Sequence, residues 1–153
     1  PEDFHAIADR ALALVKVELS RHRVEVVRQF GAAPALLPMD KNKVEQVLVN
    51  VFMNAIQAMK GKGTLRLSTV VAGPSVVTTI ADSGPGIPKE HLSKIFDPFF
   101  TTKGQGEGSG LGLTVARRII RKFGGDIHLE SVEGTGTSSS TTSYGPLSAA
   151  AFA

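Results

Sequence analysis

The chain has 153 residues, 42 % of them hydrophobic and 20 % charged, a balance that predicts one packed domain and excludes extensive disorder. It contains no cysteine, which excludes a disulfide scaffold, a cysteine-ligated zinc site and a thiol nucleophile, and suits a reducing cytoplasm. The net charge of +3 is spread along the chain without a dense basic block, so nucleic acid is not an expected partner.

Membrane segments are also not expected. No apolar run reaches the roughly 20 residues that a transmembrane helix needs, and no signal peptide opens the sequence. The parent protein can still be membrane-anchored through sequence outside this chain. A basic cluster with helical spacing, interpreted as a solvated helix face, contains Arg117, Arg118, Arg121 and Lys122.

The first half of the chain predicts a helix, a strand and a second helix. Apolar residues at three- and four-residue steps predict a helix over about 3–19, and residues 24–30 favour a strand before a loop over 31–38. Asp40 is suited to cap the next helix, whose apolar residues recur with the 3.6-residue period up to Met59.

The second half adds strands, a long loop and one more helix. Residues 64–71 and 76–81 predict a hairpin, and a loop-rich stretch with a short helix near 90–95 runs to Gly110. A helix is predicted over 111–123 and a strand over 126–130. This order of elements predicts an α/β sandwich, with helices packed on one face of a single sheet.

The end of the chain lacks the hydrophobic alternation that anchors a strand. From Thr137 onward the sequence is mostly Ser, Thr and Ala. We therefore expect a main domain over residues 1–137 and an atypical or weakly ordered tail over 138–153. The last strand of the sheet is expected to be missing or remade.

Three amide side chains share one stripe of the helix that ends at Met59. Asn50, Asn54 and Gln57 follow each other at steps of four and three residues, with the apolar residues on the other side. Amide oxygens are suitable ligands for Mg²⁺, which binds nucleotide phosphates at the same time. A polar face turned to solvent is the simpler explanation of this stripe when it is considered alone.

Residues 82–88, DSGPGIP, come directly after a predicted strand. The Asp82 carboxylate at a strand end is able to accept hydrogen bonds from the amino edge of a purine, and the glycines let the backbone approach the ring. An ordinary polar turn is the alternative.

A glycine-rich run over residues 104–112 leads into the helix predicted next. Glycines free backbone amides to bind an anion, a helix N-terminus favours negative charge, and Lys103 adds a cation just upstream. The run is not a P-loop, because no Gly-Lys-Ser/Thr closes it. We interpret it as a triphosphate site, with a mobile linker as the alternative; the glycine turn at 134–137 is weak on its own.

Together, in this order and spacing, the four segments resemble the ATPase superfamily of gyrase, the heat-shock chaperone, the mismatch-repair ATPases and the histidine kinases, from Asp40 to about Thr137. Residues 95–103 resemble the phenylalanine-rich box that precedes the lid in histidine kinases, and residues 50–59 are similar to the asparagine box of the nitrogen-regulatory kinases. The resemblance implies the catalytic ATP-binding domain of a two-component sensor histidine kinase. Its fold would be a two-layer α/β sandwich with a mixed sheet, the Bergerat-type ATP-binding fold.

The resemblance also implies roles for the matching residues. Asn54 is expected to ligate magnesium, with Asn50 close to the phosphates or to the same ion. Asp82 is expected to accept from the adenine amino group, with Thr137 joining through a water. Gln57 departs from the lysine or arginine that many relatives carry towards phosphate. The other residues expected to bind ATP are Gly84, Gly86, Ile87, Thr101, Thr102, Lys103, Gly108, Ser109, Gly110, Leu111 and Gly112.

One position favours phosphoryl transfer over hydrolysis. Gyrase-like hydrolases activate water with a glutamate four residues before the metal-binding asparagine, where this chain has Asn50, an amide that cannot act as a base. None of the chain's histidines fits the phosphorylated histidine of relatives, so the acceptor is expected on a separate dimerisation domain, with a response regulator as the next partner. An ATP-hydrolysing relative and an anti-sigma-type serine kinase are the alternatives.

Overall fold

A computed structural model describes residues 2–31, 35–72, 75–85, 89–92, 94, 97, 112–132 and 136–144. The strands are β1 (Glu2–Asp3), β2 (Val24–Gln29), β3 (Leu36–Leu37), β4 (Gly63–Ala72), β5 (Ser75–Asp82), β6 (Asp126–Val132) and β7 (Gly136–Tyr144). The helices are α1 (Phe4–Leu14), α2 (Lys16–Arg21), α3 (Lys41–Met59), α4 (Lys89–Leu92) and α5 (Gly112–Lys122). Within this described part, no helix is long and apolar enough to cross a membrane.

The main sheet has five strands in the order β2-β4-β5-β7-β6. Strands β2 and β4 are parallel, and the other neighbours are antiparallel, which makes the sheet mixed. A separate two-stranded sheet pairs β1 with β3. The predicted hairpin is therefore confirmed as β4 and β5, which pair from Leu65 opposite Asp82 to Ala72 opposite Ser75.

The helices form a layer against one face of this sheet. Helix α3 contacts α1 and α5 on either side and β4 and β5 beneath it, and α5 contacts β6. Along β4 the buried residues Leu65, Leu67 and Thr69 alternate with the exposed Arg66 and Val70, as expected for a strand covered on one face. The predicted α/β fold with a mixed sheet is confirmed.

Helix α3 begins and ends where the sequence predicts. Asp40 is its N-cap, because Oδ1 of Asp40 accepts hydrogen bonds from the backbone N–H of Asn42 at 3.0 Å and of Lys43 at 3.3 Å. Lys60 ends the helix in the left-handed conformation, with φ of 49° and ψ of 52°. The buried side of α3 contains Val44, Val47, Leu48, Val51, Phe52, Ala55, Ile56 and Met59.

The N-terminal helix predicted over 3–19 is interrupted, and the loop predicted over 31–38 contains a strand. Val15 separates α1 from α2 with φ of −101° and ψ of 10°, although its buried side chain continues the apolar pattern. The two residues of β3 pair with β1. Neither feature has a local sequence signal, since one is a single-residue break and the other depends on a distant partner.

The Ser/Thr-rich segment forms β7, so the last strand is not missing. It lies between β5 and β6 and pairs with both, with register shifts at Thr79/Ile80 and at His128/Leu129. Two neighbouring strands satisfy its backbone groups on both sides, which compensates for the absent hydrophobic alternation. Residues 145–153 of the predicted tail lie outside the described residues.

Candidate functional site

The amide stripe of α3 lies at the margin of the core. Asn50, Asn54 and Gln57 are all half-buried, whereas the residues on the opposite side of the helix are buried in the core. Three half-buried amides on one helix stripe are a set of donors and acceptors that a polar ligand is able to use.

The start of α5 lies against this stripe. Nδ2 of Asn50 donates to the carbonyl oxygen of Gly112 at 3.5 Å, and a Cβ placed on Gly112 would be 3.8 Å from Nδ2 of Asn54. Helix α5 has 11 residues and no acidic residue in its first turn. The N-terminal end of a helix carries a partial positive charge, so an anion is favoured beside the two asparagines.

The two asparagines also fit a magnesium ion shared with phosphates. The Asn50 amide donates through its nitrogen to Gly112, which leaves Oδ1 as the end that is able to ligate a cation. Magnesium takes oxygen ligands, and nucleotide-bound magnesium commonly uses one or two protein ligands with phosphate oxygens. No group of three His, Cys, Asp or Glu side chains in the described ranges is placed to hold a metal.

Asp82 lies at the end of β5, next to the last turns of α3. Oδ1 of Asp82 accepts a hydrogen bond from the backbone N–H of Gly84 at 2.8 Å, which fixes the orientation of the half-buried carboxylate. Gly84 is buried, and a Cβ placed on it would be 3.3 Å from the carbonyl oxygen of Ala58. The turn after β5 therefore packs directly on the backbone of α3, and only a residue without a side chain fits there.

Strand β7 brings Thr137 opposite Asp82. The register of β5 and β7 makes these two residues direct Cα partners, as Leu65 is on the β4 side. Residues opposite each other in an antiparallel pair have Cα atoms about 4.5–5.5 Å apart. The pair expected to share the adenine contact is thus adjacent in the sheet, and the role of each residue remains a prediction.

Helix α3 connects the two ends of the site. Gly112 lies beside Asn50 and Asn54, while Gly84 lies beside Ala58. At 1.5 Å per residue, Asn50 and Ala58 are separated by about 12 Å along the helix axis. Gln57 belongs to the same stripe between them. Several predicted site residues lie outside the described residues: Gly86, Ile87, Thr101, Thr102, Lys103, Gly108, Ser109, Gly110 and Leu111.

Two arginines of the basic cluster on α5 form ion pairs. Arg117 and Arg121 donate from Nε to Oδ1 of Asp126 at 2.9 Å and 3.2 Å, which joins α5 to the first residue of β6. Partial burial raises the pKa of Asp126, but the hydrogen bonds from both arginines and from the N–H of Ile127, with the charge of Arg117, lower it to about 2. Arg118, Arg121 and Lys122 are exposed and Arg117 is half-buried, which agrees with a solvated helix face for most of the cluster, and Arg117 and Arg121 form ion pairs on it.

The sequence motifs predict Gly112 as a site residue, but they do not predict the contacts through which Gly112, Ala58 and Ser83 shape the site. The carbonyl of Gly112, the carbonyl of Ala58 and the side chain of Ser83 all take part in contacts that position it. Backbone carbonyls carry no sequence signal. Ser83 does have one, because a small polar residue directly after a strand commonly bonds to nearby backbone groups.

Known proteins resemble this chain in sequence and in fold. Residues 39–143 match the family described as histidine kinase-, DNA gyrase B-, and HSP90-like ATPase. The chain belongs to this ATPase family. It is 35 % identical over 136 residues to the sensor histidine kinase ZraS of Escherichia coli O157:H7, covering 88 % of this chain and 29 % of ZraS. The chain therefore spans less than a third of that relative.

Solved structures of histidine kinases have the fold of this ATPase-family chain. The catalytic domain of the histidine kinase ThkA superposes with a TM-score of 0.84 at 29 % identity, over 94 % of this chain and 93 % of that one. Full-length ShkA in complex with AMPPNP has a TM-score of 0.82 at 25 % identity, over 99 % of this chain and 32 % of ShkA. ThkA has also been solved in complex with the response regulator protein TrrA, with a TM-score of 0.79 at 26 % identity, over 94 % of this chain and 40 % of that one.

Proposed function

We propose that this chain binds Mg-ATP and donates the γ-phosphate to a histidine on a separate dimerisation domain of a parent sensor kinase. The observation that supports this most is the position of Gly112 beside Asn50 and Asn54. This position brings a helix N-terminus next to two side-chain amides in a member of an ATPase family. Magnesium and the helix N-terminus would together neutralise the negative charge of the phosphates there.

The adenine end of the site would be formed by Asp82 and its turn. Its Oδ1 is engaged by Gly84, so the carboxylate is already oriented before a ligand binds. A carboxylate accepting from the adenine amino group makes a charge-assisted hydrogen bond, and guanine, with a carbonyl at that position, would be repelled. The relative ShkA, solved with AMPPNP, supports an adenine nucleotide as the ligand.

The chemistry would be transfer rather than hydrolysis. The stripe beside α5 consists of the amides Asn50, Asn54 and Gln57, none of which is able to take a proton from water. Catalysis would depend on positioning and charge neutralisation while the bond between the γ-phosphorus and the β–γ bridging oxygen breaks and a nitrogen–phosphorus bond to histidine forms, releasing ADP.

The partners would be two further protein modules. One is the domain that carries the acceptor histidine, because no histidine of this chain has the sequence context of an acceptor. The other is a response regulator, whose aspartate would receive the phosphoryl group. That ThkA has been solved with a response regulator supports the second partner.

The decisive experiment follows the phosphoryl group. The chain would be incubated with ATP labelled on the γ-phosphate, with magnesium, and with a purified histidine-bearing dimerisation domain of the parent kinase. We expect acid-labile, base-stable label on that domain and little free phosphate without it. Steady phosphate release by the chain alone would instead favour an ATP-hydrolysing relative, and acid-stable phosphoserine on a protein partner would favour a serine kinase.

A further inference from the structure

The side chain of Ser83 takes a position in the sheet that a backbone carbonyl normally takes. The N–H of Ser83 donates to the carbonyl of Thr64 at 3.2 Å, but the N–H of Thr64 donates to Oγ of Ser83 at 2.9 Å. In a hydrogen-bonded pair of antiparallel strands, the two opposite residues exchange both bonds through their backbones. Here the hydroxyl is the second acceptor, so the ladder between β4 and β5 closes without the carbonyl of Ser83.

Because a side-chain oxygen replaces the backbone carbonyl as acceptor, the chain is able to turn immediately after Asp82. The next N–H, that of Gly84, points back to Oδ1 of Asp82 at 2.8 Å instead of continuing along the sheet. If Thr64 were bonded to the carbonyl of Ser83, the backbone of Ser83 would have to stay in the ladder. The orientation of the Asp82 carboxylate therefore depends on how Ser83 ends the strand.

The same hydroxyl is tied to the end of α3. Oγ of Ser83 donates to Sδ of Met59 at 3.7 Å, so its single proton is directed to Met59 and its lone pairs are left to accept from Thr64. The space is tight, since a Cβ placed on Gly63 would overlap Sδ of Met59 and lie 2.7 Å from Oγ of Ser83. One hydroxyl thus joins the last residue of α3, the start of β4 and the end of β5.

We propose that Ser83 is a positioning residue for adenine recognition. Its hydroxyl ends the β4–β5 ladder in a geometry that holds the Asp82 carboxylate for the amino group of adenine. This inference rests on the proposed binding of ATP. Ser83 itself would contact no atom of the nucleotide and would act only through Asp82.

The first test separates adenine recognition from general binding. The affinities of Mg-ATP and Mg-ITP are measured by calorimetry for the unmodified chain, Ser83→Ala and Ser83→Thr. ITP has a carbonyl where ATP has the amino group, so it gains nothing from a positioned Asp82. We expect Ser83→Ala to lower the affinity for ATP by about 3- to 10-fold with no loss for ITP, and Ser83→Thr, which keeps the hydroxyl, to retain the ATP preference.

The second test follows the hydrogen bond itself. Amide hydrogen exchange at Thr64 is expected to become faster in Ser83→Ala but not in Ser83→Thr, while exchange at Leu65 and Leu67 stays unchanged. An equal loss of ATP and ITP affinity in Ser83→Ala, or unchanged Thr64 exchange, would overturn the positioning role.

The two tests also separate this inference from the proposed function. If Asp82→Asn loses the preference for ATP and Ser83→Ala keeps it, only the role of Ser83 is wrong. If the unmodified chain binds neither nucleotide, the proposed function is wrong and the positioning role is overturned with it.

Discussion

Asn50 and Gly112 are joined by a hydrogen bond from Nδ2 to the carbonyl oxygen, 3.5 Å long, across 62 positions of sequence. At this length the bond itself is weak. The bond marks a close contact between two helices, because α3 and α5 bury Phe52, Ile56, Ala116 and Ile120 in one core. The same helix contact that builds the core therefore sets the distance between the amide stripe and the start of α5.

Asn54→Ala is expected to remove most of the magnesium dependence of ATP binding. The change deletes one of the two amide side chains proposed to ligate the ion, and loss of a metal-site contact lowers affinity by about 10-fold or more. The measurement is a calorimetric titration with ATP in the presence and absence of magnesium. Asn42→Ala is the matched control, since Asn42 is exposed on the first turn of the same helix. Equal magnesium dependence in Asn54→Ala and the unmodified chain would contradict the assignment.

Asp82→Asn is expected to weaken ATP binding by about 10- to 150-fold, because it removes a charge-assisted hydrogen bond worth roughly 1.5–3 kcal/mol. The replacement is nearly isosteric, so the fold should be retained and unfolding curves should coincide. Glu25→Gln, which removes an exposed carboxylate from β2, serves as the control for a change of net charge. Unchanged ATP affinity in Asp82→Asn would refute the adenine contact.

Gly84→Ala is expected to lower the melting temperature, and Gly112→Ala is not. A methyl group on Gly84 would lie 2.8 Å from Oδ1 of Asp82 and 3.3 Å from the carbonyl of Ala58, whereas the nearest described atom to one on Gly112 is 3.8 Å away. Overpacking costs about 1–3 kcal/mol, so Gly84→Ala should lower both the melting temperature and ATP affinity. Gly112→Ala should leave the melting temperature unchanged or raise it. Equal melting temperatures for the two variants would contradict the close contact between Gly84 and the backbone of Ala58.

Local sequence signals were sufficient for the elements whose defining residues lie within the element itself. Helix α3 has a capping aspartate at Asp40, a sustained apolar period and a turn beyond Met59, and each signal lies within the element it defines. Strand β7 has no such signal. It pairs with β5 and β6, which both precede it in the sequence, and composition alone left open whether the last strand was missing or remade.

The candidate site likewise has a part that the sequence predicts and a part that it does not. The amide stripe has a regular helical spacing and Asp82 begins a glycine motif after a strand, so residue types predict both. The contacts of Gly112 and Ala58 use backbone carbonyls, which every residue possesses, so no pattern of residue types reveals them. The ion pairs from Arg117 and Arg121 to Asp126 require the turn between α5 and β6, which only the folded chain supplies.

Asp126→Asn is expected to lower the free energy of unfolding by about 1–2 kcal/mol at neutral pH, with an effect that disappears in acid. The folded pKa of Asp126 is about 2, below its ordinary value of 3.8. A lowered pKa stabilises the fold fully above the unfolded value, and this stabilisation is lost as the pH falls towards the folded value. The difference between the unmodified chain and the variant should therefore shrink as the pH falls from 3.8 to about 2.

Urea unfolding of both proteins from neutral pH to about pH 2 measures this difference directly. Glu25→Gln again controls for the loss of one negative charge, because Glu25 is exposed on β2 and its removal should not give the same pH profile. A difference between Asp126→Asn and the unmodified chain that is as large at the acid end as at neutral pH would mean that the variant disturbs packing rather than the ion pairs. A difference that vanishes in acid ties the stability of the α5–β6 junction to the ionised carboxylate.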